Sequence, residues 1–159
     1  MVNRNLMRQV DLEQDLMESE INAAFGLLQL QHVDNALAKR KAIDAQYRAL
    51  LADVPGIRCL LDAGEKVANY AYFPVQVEDN FPISRDALYE RLKEHDIYAR
   101  RYFYPLISEF PMYRGLPSSH KDNLSAASAA SKRILCLPIY PDLNPVQGER
   151  IVSIIAGIQ

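Results

Sequence analysis

Residues Tyr98 to Leu106 read Tyr-Ala-Arg-Arg-Tyr-Phe-Tyr-Pro-Leu, which sets two guanidinium groups, Arg100 and Arg101, among the phenols of Tyr98, Tyr102 and Tyr104. Arginine offers paired donors that match a phosphate or carboxylate, and tyrosine offers a flat apolar face carrying a hydroxyl. Together they suit a ligand that is part ring and part anion, such as a nucleotide-sugar diphosphate. The same residues also make an ordinary edge strand with solvated arginines, and composition alone favours that plainer reading.

Little else in the chain competes for chemistry. His32, His95 and His120 have no second ligand at metal spacing, so they are read as surface or capping residues, and no metal site is expected. Ser118-Ser119-His120 lacks the glycines of a nucleophile elbow and is read as a polar loop. The six glycines are dispersed and form no phosphate cradle. Cys59 and Cys136 each sit in apolar sequence, as buried thiols in a reducing compartment do.

These residues need a scaffold, and the hydrophobic pattern outlines one. Residues 1–18 mix charged and apolar side chains without a period and are expected to be an irregular arm. From Ser19, a plausible N-cap, the spacing is helical through Leu37, and a second helical stretch continues from Lys39 to about Ala52, with Ile43, Tyr47, Leu50 and Leu51 as its apolar stripe. Residues 19–53 are therefore linking helices. Val54-Pro55-Gly56 is a turn, and residues 54–159 form a small α/β domain.

Within that domain, strands are expected at Ile57 to Leu61, Asn69 to Val77, Ile97 to Phe103 and Ile134 to Ile139. Pro74 argues for an edge position or a bulge in the second of these. Helices are expected from Arg85 to His95 behind Ser84, from Leu124 to Lys132, and from Pro145 to Ile158 behind Asn144. The stretch from Tyr104 to Asn123 is a long ordered loop. The result is a short mixed sheet packed with helices and preceded by a long helical segment.

Composition sets outer limits. The 159 residues are 49% apolar and 24% charged, enough for one domain with a core. Twenty acids against 18 bases leave a charge of -2, which announces no face for nucleic acid. No run approaches the roughly 20 apolar residues that span a bilayer, and no secretory signal is visible, so a cytoplasmic protein without a membrane partner is expected.

Three sequence words add to this picture. Ser19-Glu-Ile-Asn-Ala-Ala-Phe-Gly-Leu-Leu-Gln-Leu30 with Lys39-Arg40-Lys41 and Tyr47, then Tyr98 to Leu106 with Phe110-Pro-Met-Tyr113, then Leu135-Cys-Leu-Pro-Ile-Tyr-Pro141, occur in this order. The chain so resembles the DegT/StrS family of sugar aminotransferases over residues 19 to 158. The resemblance implies the small C-terminal domain of a fold-type I aminotransferase, in which pyridoxal phosphate joined to a lysine moves an amino group from glutamate to a keto sugar on a nucleoside diphosphate. Such enzymes imply a homodimer, or association with a partner that supplies the large domain.

In that family the cofactor lysine belongs to a large N-terminal domain that has no counterpart in this sequence. Lys39, Lys41, Lys66, Lys93, Lys121 and Lys132 lie in charged helices or polar loops and are read as surface residues, so no catalytic residue is assigned and the chain alone is expected to bind no cofactor and to be inactive. By the resemblance, Asp15 stands where the family places an asparagine that reaches the cofactor phosphate, and a carboxylate there would repel it. Tyr102 first, then Arg101 and Tyr104, are the substrate-side candidates. The alternative is a non-catalytic binding or regulatory module that docks on an intact aminotransferase paralogue through residues 19–52.

Overall fold

The computed structural model describes residues 4–60 and 68–158, with side chains from residue 19 onward. Two compact units divide it, Met1–Ala38 and Lys39–Gln159. A single helix, α1 (Arg4–Leu51), contains the division. Where the sequence suggests an irregular arm over 1–18 and a helix start at Ser19, the backbone is already helical from Arg4. A weak apolar period signals side-chain burial, and a helix needs no buried face to close its own hydrogen bonds.

In the first unit, Ile21, Phe25, Leu27, Leu28, Leu30 and Val33 are all exposed. At 100° per residue these six fall on every side of the helix. In the second unit the end of α1 behaves differently: Ile43, Tyr47 and Leu51, spaced by four, are buried as one stripe. Tyr47 is fully enclosed, its ring centroid 4.9 Å from that of Phe73, and its hydroxyl donates to the Pro138 carbonyl at 2.9 Å.

After α1 the chain turns at Gly56, whose φ of 78° and close approach to the Phe81 backbone admit no side chain. Strands β1 (Ile57–Cys59) and β2 (Phe73–Val77) follow, then α2 (Arg85–Glu94), β3 (Arg100–Arg101), three short 3-10 turns between Ile107 and Leu124, α3 (Ser125–Arg133), β4 (Ile134–Leu137) and α4 (Pro145–Ala156). The sheet order is β1-β2-β4-β3, with every pair antiparallel. The mixed sheet expected from the sequence is thus corrected. Strand direction depends on how the helical crossovers return, which no local pattern encodes.

Pro74 lies on an inner strand, against the edge or bulge expected for it. The backbone geometry explains why this is tolerated. The Glu78 N–H donates to Gly56 on the β1 side, so by alternation Gln76 and Pro74 also face β1, and β1 ends at Cys59 opposite Val75. The missing donor of Pro74 therefore points where the ladder has already stopped.

Phe73, Val75 and Val77 on β2 and Leu135 and Leu137 on β4 form one face of the sheet, covered by Leu88 and Leu92 of α2 and by Ile151, Val152 and Ile155 of α4. Each such side chain contributes about 1.5–3 kcal/mol of burial. Both covering helices are capped as their sequences suggest: Ser84 Oγ accepts from the Ala87 N–H at 3.2 Å, and Asn144 and Gln147 bond reciprocally at 3.0 and 3.2 Å, with Pro145 in the first turn.

Candidate functional site

Strand β3 is two residues long, and its pairing decides where the candidate arginines go. Arg100 lies opposite Cys136 and Arg101 opposite Leu135, so the two guanidinium groups leave on opposite faces of the sheet. Arg101 turns toward α2. Its guanidinium carbon lies 4.6 Å from the Tyr89 ring centroid and 4.5 Å from that of Tyr104, and Nη1 lies 3.4 Å from Asp86 Oδ1.

A second arginine, which the sequence reading did not single out, completes this cluster. Arg85 opens α2 and is buried, with 1% of its side chain exposed. Its Nε donates to the same Asp86 Oδ1 at 2.9 Å, its Nη1 donates to the Ile134 carbonyl at 2.9 Å, and its guanidinium lies 5.2 Å from the Tyr104 ring. The buried Nη2 has no hydrogen-bond partner among the described residues. One carboxylate thus serves two guanidinium groups, and both groups lie against the half-exposed Tyr104.

Tyr102 is placed elsewhere. Its ring stacks on Phe103 at 4.0 Å and tilts against Tyr72 at 5.2 Å. The structure therefore brings Arg101 and Tyr104 together and sets Tyr102 in a separate aromatic group. Asp15 falls within α1, but its side chain lies outside the described residues.

The cluster carries an excess of positive charge at a partly open position, suited to an oxyanion such as phosphate or carboxylate. It offers no metal site: among the described residues no group of three histidine, cysteine or acidic side chains converges. His95 closes α2 with its backbone N–H donating to the Leu92 carbonyl, the His120 ring lies 3.2 Å from Asp122, and His32 is on the exposed part of α1.

Two thiols are shielded. Burial pushes the Cys136 thiol up to about 11, with Arg100 opposing in part, and burial raises Cys59, with Arg48 lowering and Asp44 raising it. Both cysteines are free. No helix among the described residues is long and apolar enough to cross a membrane.

The sequence matches the DegT/DnrJ/EryC1/StrS aminotransferase family over residues 16–156. It is 50% identical over 139 residues to the dTDP-4-amino-4,6-dideoxy-D-glucose transaminase of Escherichia coli, covering 87% of this chain and 38% of that protein. The fold is similar to that of S. venezuelae DesV in complex with a ketimine intermediate, with a TM-score of 0.75 and 27% identity over 85% of this chain and 35% of DesV. It is also similar to the Streptococcus pneumoniae protein Spr1654 in its PLP form, with a TM-score of 0.77 and 22% identity over 87% and 35% of the two chains. The chain thus spans little more than a third of the relatives it matches.

Proposed function

Since the chain belongs to the DegT/DnrJ/EryC1/StrS aminotransferase family, we propose that it supplies the small C-terminal domain of an enzyme that moves an amino group from glutamate to a nucleoside-diphosphate keto-deoxy sugar, and that it is inactive alone. Its fold is that of the C-terminal part of a fold-type I aminotransferase. The name of the E. coli relative supports a dTDP-linked sugar as the substrate class. The enzyme would work in the cytoplasm, where nucleotide sugars are made.

Pyridoxal phosphate is the cofactor that such transamination requires, and it serves as an electron sink when bound to a lysine in a desolvated pocket. Among the described residues no lysine fits that role. Lys39, Lys41, Lys93, Lys121 and Lys132 are all exposed, and Lys66 lies outside the described residues. No step through the cofactor is assigned to this chain. Its part in the reaction is on the substrate side: Arg101, held by Asp86 and lying against Tyr104, can bind and orient an anionic group, and Tyr102 presents its phenol nearby in sequence.

The observation that carries this reading is the pairing of Arg85 and Arg101 through Asp86 against Tyr104, in a segment inside the family match. The test adds pyridoxal phosphate, glutamate and a dTDP-linked keto sugar to the purified chain. The expected result is neither the visible absorbance of a lysine-bound cofactor nor amino transfer. Amino transfer by the chain alone would overturn the claim of inactivity.

Helix α1 supports a partner. A helix that is apolar on every side is ordinarily buried, and the six exposed apolar residues between Ile21 and Val33 call for a surrounding surface. The large-domain part of a family member fits that need. A non-catalytic module docked on an intact aminotransferase paralogue draws on the same surface. Size-exclusion chromatography with each candidate separates the two: co-elution with a large-domain segment that restores amino transfer supports the first, and co-elution only with an intact paralogue supports the second.

A further inference from the structure

Arg48 and Arg85 use their guanidinium groups in nearly the same way. In each, Nη1 donates to a backbone carbonyl, that of Leu60 at 2.8 Å and that of Ile134 at 2.9 Å. In each, Nε donates to one oxygen of an aspartate, Asp44 at 2.7 Å and Asp86 at 2.9 Å. Nε and Nη2 lie along one edge of a guanidinium, so a carboxylate that takes both is held by two parallel bonds. Arg48 completes that fork, with Nη2 3.4 Å from Asp44 Oδ2. Arg85 does not: its Nη2 is buried and has no partner among the described residues.

The missing bond has a visible cause. Asp86 Oδ1 also lies 3.4 Å from Arg101 Nη1, so one carboxylate stands between two cations. The two cations differ in what could replace it. Arg101 has 32% of its side chain exposed, and water can take the place of Asp86 there. Arg85 has 1% exposed, and its Nη2 is closed to water. The Tyr104 ring, 5.2 Å from the Arg85 guanidinium, is at most a weak acceptor, and a buried donor left unmet is costly. Asp86 itself is exposed, and a turn of its side chain away from Arg101 brings Oδ2 toward Nη2 and reproduces the Arg48 pattern.

We infer that Asp86 is a positioning residue shared between two arginines: it orients Arg101 against the Tyr89 and Tyr104 rings, and when Arg101 is withdrawn from it, it closes the fork on Arg85. An anion on Arg101 then meets a guanidinium freed of its counter-charge, and the bond completed at Arg85 offsets part of the cost of releasing Asp86. Arg85 touches no ligand and acts through Asp86. The step that brings an anion rests on the role proposed above for Arg101, and the experiment separates the two.

Arg101→Met withdraws the cation without any ligand. Arg101 is partly exposed, and circular dichroism melting checks that the variant keeps its fold. Its crystal structure is expected to place Asp86 Oδ2 within hydrogen-bond distance of Arg85 Nη2. A double-mutant cycle of Arg85→Met and Asp86→Ala, read as unfolding equilibrium constants, should give a coupling at least about threefold larger in the Arg101→Met background than in the parent. A fixed structural pair would give the same coupling in both. In the parent, titration with inorganic phosphate should move the Arg85 Nε and Nη2 resonances in the direction that Arg101→Met moves them, and Asp86→Asn should abolish that movement. The inference is overturned if Asp86 stays off Nη2 in the Arg101→Met structure, or if the coupling is the same in both backgrounds. A completed fork in Arg101→Met with no response of the parent to phosphate upholds the sharing of Asp86 and overturns instead the anion-binding role of Arg101.

Discussion

Arg48 Nη1 donates to the carbonyl of Leu60 at 2.8 Å, and this bond takes the place of one the sheet cannot make. Along the β1-β2 ladder the next backbone donor due opposite Leu60 belongs to Pro74, which has none. A guanidinium reaching across from α1 accepts the task, while its Nε and Nη2 hold the buried carboxylate of Asp44 at 2.7 and 3.4 Å. One side chain thus ties the helix to the strand end and satisfies two acceptors.

Replacing Arg48 with Met should therefore cost more than a surface charge. It leaves the Leu60 carbonyl without its donor and Asp44 buried without its counter-charge. A loss of about 2–4 kcal/mol is expected in urea denaturation. The double variant Arg48→Met, Asp44→Leu should recover part of it, because the stranded carboxylate is gone. If Arg48→Met melts with the parent, the bridging role is wrong.

Gly56 gives a second expectation. A methyl group there would come within 2.7 Å of the Phe81 backbone, in a left-handed conformation that side chains resist. Gly56→Ala should lower stability by about 2 kcal/mol or more. Gly115, with open space around its Cβ direction, should accept alanine at almost no cost. Thermal melts of the two variants side by side measure the contrast.

The Cys136 thiol makes stability fall at alkaline pH. Its folded pKa is raised from 9.0 to about 11 by burial, so between those values the unfolded chain has lost a proton that the folded chain keeps. The contribution is whole below pH 9 and is lost as pH rises toward 11. The buried Tyr47 hydroxyl, also raised by burial, adds a loss in the same direction at higher pH. Cys136→Ala should flatten the decline of denaturation midpoint between pH 9 and 10.5, and the native thiol should react slowly with a disulfide reagent at pH 8.

What the sequence discloses and what it hides follow from the range of the forces involved. The caps at Ser84 and Asn144 are legible because a capping side chain bonds within three residues of itself. Of the stripe expected at Ile43, Tyr47, Leu50 and Leu51, the three residues spaced by four are buried and Leu50, one position off that spacing, is exposed. The antiparallel order β1-β2-β4-β3 is not legible, because it joins segments far apart in the chain. Strand β3 has just two paired residues, so the seven-residue strand expected from Ile97 to Phe103 is reduced to the part that reaches β4. Tyr102 and Tyr104 are equivalent in composition, and the fold alone sends one to Tyr72 and the other to Arg101.

Arg85 is the least legible member of the cluster and the one whose removal is most informative. In sequence it is a charged residue at a helix start, a position that disfavours cations and usually leaves them in water. Here it is buried, and its Nη2 carries an unmet donor beside the Tyr104 ring. Arg85→Met removes one unmet donor but frees the Ile134 carbonyl and leaves Asp86 without its closest cation, so a net loss of about 1–3 kcal/mol is expected. Arg85→Lys keeps the charge but not the fork that serves Asp86 and Ile134 together, and should be no better than Met. Proton spectra of Tyr104 separate positioning from bulk stability: with Arg85 gone, the Tyr104 resonances should shift while those of Tyr47, which packs on Phe73 and bonds to Pro138, stay in place. Unchanged Tyr104 resonances in a folded Arg85→Met variant would mean that Arg101 alone holds the ring.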